Sequence, residues 1–552
     1  MNELQIKLIE TLRYAATRLH KSSLPHQVSA QMENLAEQVD QPCVVAVVGR
    51  VKAGKSTFIN ALLGDNLAKV GPTETTATIN FFRYGTPNAD FPVRCYWRSG
   101  KVTNENRQFL DNLQGNDLET LRRADGIDYL EYHLPNPHLE QITLVDTPGT
   151  GAVVDEHQNR TAEFMNLYRQ LRERHHQETQ RIGNSADAVI YLIGETARIT
   201  DQAFLDEFQQ ATQGQSRTLN AIGVMAKIDL SAEVIKRKEE LSAKIALQLQ
   251  NSLNSVIPVS AGIQRALDGL LAREHEQLKQ MMTTLRPIPR STLEELLADP
   301  ELYQELDCSI SSREREQLRA GMPWRVFVTI ANIVTDPALN ERSVVDKLQT
   351  IAGFDQLHTI LDKHFIRRGT LLRAHRIVND ALLLVNTVKF TYLHEYHRHA
   401  AEDRIKQDRF LAFLRSVQSY SPVAIELQAF VQERLASRSD LSLLIAEVER
   451  AIGHIKYELE DYNTDFEALQ QLEEHPALFS SQELGELRPL LGLHGLEIGK
   501  RLPPAHATLA YIEERQTHWT YKSQLGRDPI IRSVAEHAVR RYGLLVEELG
   551  QG

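Results

Sequence analysis

The pattern of hydrophobic and polar positions divides the chain into two kinds of sequence. Between about residues 41 and 285, short runs of β-branched residues alternate with stretches in which apolar residues recur every three or four positions. The first run, PCVVAVVG at 42–49, is continuous and ends in glycine, as buried parallel strands do. This alternation predicts a doubly wound α/β domain with a mostly parallel sheet.

The same pattern locates the individual elements of this domain. Besides the first run, strands are predicted over 78–84, 92–98, 127–134, 142–146, 187–193, 219–226 and 256–259. Helices are predicted over 55–63, 156–182, 201–212, 232–251 and 263–285. We interpret 92–98 and 127–134 as an added antiparallel hairpin.

Both flanks of the α/β domain are helical. Residues 1–40 carry a leucine and alanine stripe at helical spacing, and strand signals stop after 286. We therefore predict N-terminal helices over 1–40 that pack on a C-terminal helical bundle or stalk over 286–552. No proline occurs between Pro337 and Pro422, nor between Pro422 and Pro476. One helix from Phe354 to about His399 would extend ~70 Å; the alternative is several shorter helices broken at Gly369.

The first strand leads into a phosphate-binding motif, GRVKAGKST at 49–57. Gly49 and Gly54 allow successive backbone N–H groups to wrap a phosphate, and Lys55 reaches the β and γ oxygens. The Ser56 hydroxyl is the expected Mg²⁺ ligand at the start of a helix. Ala53 and Thr57 complete the predicted nucleotide-binding set. The motif lies between a buried strand and a helix, which is the context that a P-loop requires.

Two further segments supply the γ-phosphate and metal contacts. In LVDTPGTG at 144–151, Asp146 ends a strand and can hold Mg²⁺ through water, while Gly149 can donate its N–H to the γ-phosphate. The threonine-rich segment PTETTATINFFRYG at 72–85 is typical of a loop that closes over Mg²⁺ and γ-phosphate. We assign that role to Thr76, with Thr75 as the alternative. The predicted Mg²⁺ ligands are therefore Ser56, Thr76 and Asp146.

Base recognition is assigned to VMAKIDLS at 224–231 and PVSAG at 258–262. Asp229 can accept two N–H bonds from guanine, and the aliphatic stem of Lys227 can lie against the ring. Ser260 and Ala261 are placed to contact the base edge. The usual pattern has Asn or Thr where this chain has Ala226, a departure that leaves guanine selectivity open.

These motifs, in this order, resemble those of the bacterial dynamin-like proteins over roughly residues 43–262. The resemblance implies a GTPase that uses Mg²⁺, self-associates through its G domains and remodels membranes through stalk movement. It also implies that the first and last helices, near Leu4–Leu19 and Ile530–Leu549, pack together. Guanylate-binding proteins and atlastins, similar at one loop position, carry a catalytic arginine where this chain has Lys52. By that resemblance Lys52 is a candidate cationic finger; a solvated loop lysine is the alternative.

Composition limits the partners and the compartment. The 73 acidic residues outnumber the 62 basic ones for a net charge of −11, which argues against nucleic-acid binding. Three separated cysteines fit a reducing compartment. We expect a cytoplasmic protein, with any membrane contact peripheral at the inner face. The leucine- and glycine-rich segment 487–504 predicts either a lipid-contacting loop or a buried helix connection.

Two functions therefore stay open. The first is a dynamin-like mechanochemical GTPase whose nucleotide cycle moves a stalk at a membrane. The second is a regulatory P-loop GTPase whose helical half binds a protein or ribosomal partner without membrane contact. The long proline-free stretches favour the first, and the acidic net charge favours the second.

Overall fold

The computed structural model describes residues 3–22, 24–50, 53–64, 78–86, 88, 90–113, 118–147, 186–198, 201–203, 205, 221–250, 252–253, 255–362, 365, 369–394, 408–417, 422–494, 498–502 and 508–550. The chain forms two compact units. Pro42–Leu372 is the sheet unit, and Met1–Gln41 together with Arg373–Gly552 is the helical unit.

The sheet unit contains a nine-stranded mixed sheet in the order β4-β3-β5-β2-β6-β1-β7-β8-β9. Five strand pairs are parallel and three, β2–β6, β3–β4 and β3–β5, are antiparallel. The strands are β1 Cys43–Gly49, β2 Ile79–Tyr84, β3 Val93–Trp97, β4 Val102–Glu105, β5 Ile127–Leu134, β6 Ile142–Asp146, β7 Ala188–Ile193, β8 Ala221–Met225 and β9 Val256–Pro258.

Alternation along β1 explains why helices cover both sheet faces. Val45 and Val47 belong to one buried cluster, whereas Ala46 and Val48 belong to another. A strand that is buried on both faces reads as a continuous apolar run, which is what the sequence shows. The predicted fold class, a doubly wound and mostly parallel sheet joined to a helical half, is confirmed.

The predicted strands are all present, and one strand was missed. β3 and β5 pair antiparallel as predicted, but the hairpin is formed by β3 and β4. Gly100, with φ of 81°, lies in the connection between them. The polar sequence VTNE of β4 lacks the apolar alternation from which a strand is predicted. The helix predicted over 156–182 lies outside the described residues, as does most of the one predicted over 201–212.

Helices surround the sheet and continue beyond it within the same unit. They are Lys55–Leu63, Arg107–Asn112, Leu118–Gly126, Ala232–Gln248, Ala261–Leu285, Arg290–Leu296, Pro300–Glu305, Ser312–Arg319, Trp324–Val334, Glu341–Ala352 and Phe354–Leu361. The unit ends at 372, whereas the sequence predicts a boundary at 285. The reason is packing: Phe327, Leu348 and Phe354 lie in the same core as Val45 and Leu144. The loss of strand signals after 286 therefore marks a change of element type within one unit.

The helical unit is organised by one very long helix. Its helices are Glu3–His20, His26–Gln38, Gly369–Val388 (in which the division between the units falls), 408–417, Pro422–Glu474, Ser481–Leu490, Ile498–Arg501, Leu509–Leu525 and Pro529–Gly550. Pro422–Glu474 has 53 residues, or about 80 Å at 1.5 Å per residue. The single long helix predicted from 354 to 399 is instead divided. One helix ends at Leu361 and another begins at Gly369, as in the alternative of shorter helices broken at Gly369.

The first and last helices both contact this long helix, although each packs most extensively on its neighbour in the chain, His26–Gln38 and Leu509–Leu525 respectively. Arg18 of the first helix pairs with Glu447 at 2.7 Å. Arg541 of the last helix pairs with Asp461 and Asp465, each at 2.5 Å. The predicted direct packing of the two terminal helices is therefore replaced by a shared partner. No described helix combines the length and the apolar character needed to cross a bilayer.

The segment 487–504 is part of the core of the helical unit over its described residues. Leu487, Leu490, Leu491 and Leu502 are buried in one cluster with Trp519. The lipid-contacting loop that the sequence left open is therefore not supported here, since these four leucines already have protein neighbours, although Leu493 is 44% exposed. The observed arrangement is the alternative, a buried helix connection.

Candidate functional site

The phosphate-binding loop begins where β1 ends. A Cβ on Gly49 would lie 3.0 Å from the backbone oxygen of Leu192 on β7, so the strand end leaves little room there for a side chain. Gly54 adopts a left-handed conformation with φ of 93° and caps the helix Lys55–Leu63. Its missing Cβ permits that conformation without strain. The two glycines therefore place the helix N-terminus beside the strand end, where helix dipoles bind phosphate.

Lys55 is held inside this loop. Its side chain is buried, and Nζ donates to the backbone oxygens of Gly49 at 3.1 Å and Arg50 at 3.3 Å. Carbonyl contacts of this kind keep the ammonium group at the mouth of the loop. Ala53, Ser56 and Thr57 are half-buried around it.

Asp146 stands at the end of β6, in register with Val47 of β1 and opposite Asn80 of β2. Burial raises the pKa of its carboxyl to about 6, although the Lys55 ammonium and hydrogen bonds from Asn80 and Ser56 oppose the shift. Among the described residues, its Oδ1 has no hydrogen-bond partner. A buried carboxylate oxygen with spare capacity beside a serine hydroxyl is a donor set that suits Mg²⁺.

The predicted base-recognition residues lie on the loop after β8. Lys227 is left-handed with φ of 63°, and a Cβ on Gly54 would lie 3.2 Å from its Cε. The stem of Lys227 therefore lies against the phosphate loop. Ala226 is buried and donates its N–H to the Ile193 oxygen at 3.0 Å. Lys227 therefore contacts the phosphate loop, although Ala226 has no side chain that could brace that loop.

Ser260 has a role that the sequence did not predict. It is fully buried; its Oγ donates to Asp229 Oδ1 at 2.6 Å and accepts from the Ile263 N–H at 3.0 Å. It therefore caps the helix Ala261–Leu285 and orients the carboxylate assigned to guanine, rather than presenting its hydroxyl to a base. Ala261 is half-buried at the start of that helix.

The structure therefore brings together the assigned phosphate, metal and base residues that it describes. Lys52, Thr76 and Gly149 lie outside the described residues. The sequence did not predict Asn80 as a site residue or the hydrogen bond from Ser260 to Asp229, because each contact depends on a partner from a distant strand or loop. No group of three or more His, Cys, Asp or Glu side chains within the described ranges is arranged to hold a metal.

Comparison with known proteins supports this reading of the motifs. Residues 45–228 match the family model described as the dynamin family. Isoniazid-induced protein IniC of Mycobacterium tuberculosis is 28% identical over 377 residues, which cover 65% of this chain and 70% of that protein.

Two further similarities extend the comparison. The Arabidopsis thaliana protein named "Probable transmembrane GTPase FZO-like, chloroplastic" is 24% identical over 352 residues, which cover 63% of this chain but only 33% of that protein. A solved structure of an oligomerised bacterial dynamin pair aligns with 100% of this chain and 91% of its own, at 13% identity and a TM-score of 0.31.

Proposed function

We propose that this chain, whose residues 45–228 match the dynamin family model, is a dynamin-like GTPase that binds Mg²⁺–GTP at the loop 49–57 and couples hydrolysis to work at a membrane surface. Lys55 binds the β and γ oxygens, and Ser56 and Asp146 hold the metal. Mg²⁺, when bound, supplies positive charge to the phosphate oxygens. Asp146 Oδ1 is buried beside Ser56 and has no hydrogen-bond partner in the part of the chain that the structure describes, and this observation supports the metal assignment.

Guanine recognition rests on a carboxylate that is already oriented. The Ser260 hydroxyl donates a hydrogen bond to Oδ1 of Asp229, so the rotation of the carboxylate is restricted before a base binds. An acceptor held in this way can take the N1–H and 2-amino donors of guanine without a further loss of side-chain entropy. Lys227 covers the face of the ring. We assign the γ-phosphate clamp to Thr76 and Gly149 and the catalytic cation to Lys52.

Membrane contact is assigned to the segment 408–430, of which the structure describes 408–417 and 422–430. Six large apolar side chains there are exposed to solvent: Phe410, Phe413, Val423, Ile425, Leu427 and Phe430. Concentrated exposed apolar residues are uncommon on monomeric soluble proteins and mark protein or membrane contact sites. The segment 408–430 therefore replaces 487–504 as the proposed lipid site, because four leucines of 487–504 are buried: Leu487, Leu490, Leu491 and Leu502.

Vesicle co-sedimentation with a non-hydrolysable GTP analogue tests this assignment. Phe413 and Ile425 are 59% and 55% exposed, so changing both to serine removes apolar area without opening the core. Burying one such side chain stabilises association by about 1.5–3 kcal/mol, and the double variant should bind vesicles at least tenfold more weakly. Tyr521 and Leu525, 65% and 63% exposed elsewhere in the helical unit, provide the matched control pair.

The regulatory alternative predicts a different result from the same experiment. A GTPase that binds only a protein partner would not sediment with vesicles of neutral or anionic lipid in any nucleotide state. Self-association through G domains is tested separately, by sedimentation velocity with GDP and aluminium fluoride. We expect a dimer in that state and a monomer with GDP.

A further inference from the structure

The helical extension 286–372 touches the two loops that are assigned to base recognition. The helix Glu341–Ala352 ends beside the loop 258–262, and the Ser260 N–H donates to the Ala352 oxygen at 3.0 Å. Val326, from another helix of the extension, lies under Gly262, where an added Cβ would be 2.8 Å from its Cγ2. The backbone of the loop 258–262 is therefore held from outside the nucleotide motifs.

Gly353 makes the closest of these approaches. It is left-handed, with φ of 76°, and follows the helix Glu341–Ala352 directly. A Cβ at this position would overlap the Pro258 carbonyl oxygen and lie 3.6 Å from Val259 Cα. Because the obstacle is backbone, no rotamer change can relieve it, and any side chain at 353 must displace the loop.

A continuous series of contacts joins this approach to the base-recognising carboxylate. Gly353 lies against Pro258, the backbone of Ser260 bonds to Ala352, and Ser260 Oγ donates to Asp229 Oδ1 at 2.6 Å. The Lys238 ammonium also donates to the Thr350 oxygen, which ties the helix that follows Asp229 to the same helix end. We propose that Gly353 is a positioning residue for guanine recognition, acting on Asp229 through Ser260.

This inference rests on the proposed assignment of Asp229 to guanine, and its test uses base discrimination. Inosine diphosphate lacks the 2-amino group of GDP and forms one fewer hydrogen bond with the carboxylate. A hydrogen bond to a charged group corresponds to about tenfold or more in affinity, so the unmodified protein should favour GDP over inosine diphosphate by about that ratio. A displaced Asp229 loses this preference, whereas phosphate binding at Lys55 is retained.

Gly353→Asn is the test variant, because asparagine tolerates a left-handed backbone and so isolates the overlap with Pro258. Gly321→Asn is the matched control: its φ is 73°, and no atom of the described residues lies within 4 Å of its added Cβ. We expect the ratio of GDP to inosine diphosphate affinity, measured by calorimetry with Mg²⁺, to fall to about threefold or less in Gly353→Asn. It should stay at the parental value in Gly321→Asn.

A folded Gly353→Asn protein with the parental ratio would overturn the inference. If that variant does not fold, Lys238→Met decides by the same measurement: a lowered ratio supports the inference and a parental ratio overturns it. Failure of the proposed function gives a separate signature, since the unmodified protein would then bind neither diphosphate. If the unmodified protein binds GDP and inosine diphosphate tightly and with equal affinity, the role of Asp229 is overturned, and this inference with it. The assignment of the phosphate site would be unaffected.

Discussion

The buried ion pair between Arg501 and Asp465 should be the main electrostatic anchor of the segment 487–504. Arg501 Nη1 lies 2.8 Å from Asp465 Oδ2 and 2.6 Å from the Leu490 oxygen, and both charged side chains are almost fully buried. Burial raises the pKa of Asp465 and lowers that of Arg501, so both charges are desolvated, and Arg541 is a second cation on the same carboxylate. Replacing Arg501 leaves Asp465 with Arg541 as its remaining cation and removes the donor to the Leu490 oxygen, and a lost hydrogen bond to a charged group typically costs about 1.5–3 kcal/mol.

Arg501→Met is the perturbation that follows from this arrangement. The helical unit comprises 41 residues of Met1–Gln41 and 180 of Arg373–Gly552, or 221 in all. For a unit of this size, 1 kcal/mol shifts the melting temperature by about 2–4 °C, so a loss of about 1.5–3 kcal/mol should lower it by roughly 6 °C. Calorimetry with Mg²⁺–GDP should show that loss in the transition that the nucleotide does not stabilise.

Arg488→Met provides the matched control from the same segment. Arg488 pairs with Glu473 at 2.7 Å, but both side chains are about a third exposed, and pairs at such positions contribute about 0–1 kcal/mol. We expect the Arg488→Met variant to melt within 3 °C or so of the unmodified protein. Equal melting temperatures for Arg501→Met and Arg488→Met would refute the reasoning. A loss of vesicle binding in the Arg501→Met variant would also refute it, because the segment would then contact a bilayer.

The remaining predictions concern the nucleotide cycle. Lys55→Ala should lower GTP turnover at least a hundredfold in a phosphate-release assay, because the loop loses its cation at the β and γ oxygens; near-normal turnover would contradict the site. Asp229→Asn should shift preference from guanine toward xanthine nucleotides, which competition binding will measure, and an unchanged preference would move base recognition elsewhere. Thr76→Ala should bind GTP but hydrolyse it slowly, and impairment of the Thr75→Ala variant alone would reverse that choice. Lys52→Ala should keep GTP affinity within a few-fold and lose up to about 10³ in single-turnover rate, with no potassium stimulation of the unmodified enzyme; full activity of the variant would show that Lys52 is a solvated loop lysine.

Local chemistry explains which features could be predicted from sequence. The strand before Gly49 and the helix after Gly54 follow from short-range patterns, and so do the Lys55 and Asp146 assignments. The contact of Ser260 with Asp229 joins two segments about thirty positions apart, and its geometry depends on how β8 and β9 pair. Spacing within a motif carries no information about such a pairing.

The segment 487–504 and the boundary at 285 could not be assigned correctly from sequence for one shared physical reason. Leucines at helical spacing have the same pattern whether they contact another helix or a lipid, so Leu487 and Leu490 could be placed only once their neighbours were known. The boundary at 285 has the same origin, since the helices after it look alike whether or not they join the core of the sheet unit. Periodicity identifies the apolar face of an element but not its partner.

The Ser260 hydroxyl has two structural roles, and this has an evolutionary consequence. The group that orients Asp229 is also the N-cap of the helix Ala261–Leu285, where its replacement by alanine would cost about 1 kcal/mol of folding stability whatever nucleotide is bound. A lineage that abandons guanine is released from selection on Asp229 but not from selection on the cap. Serine or threonine at 260 should therefore persist in descendants that have already lost the carboxylate, as a relic of the ancestral nucleotide.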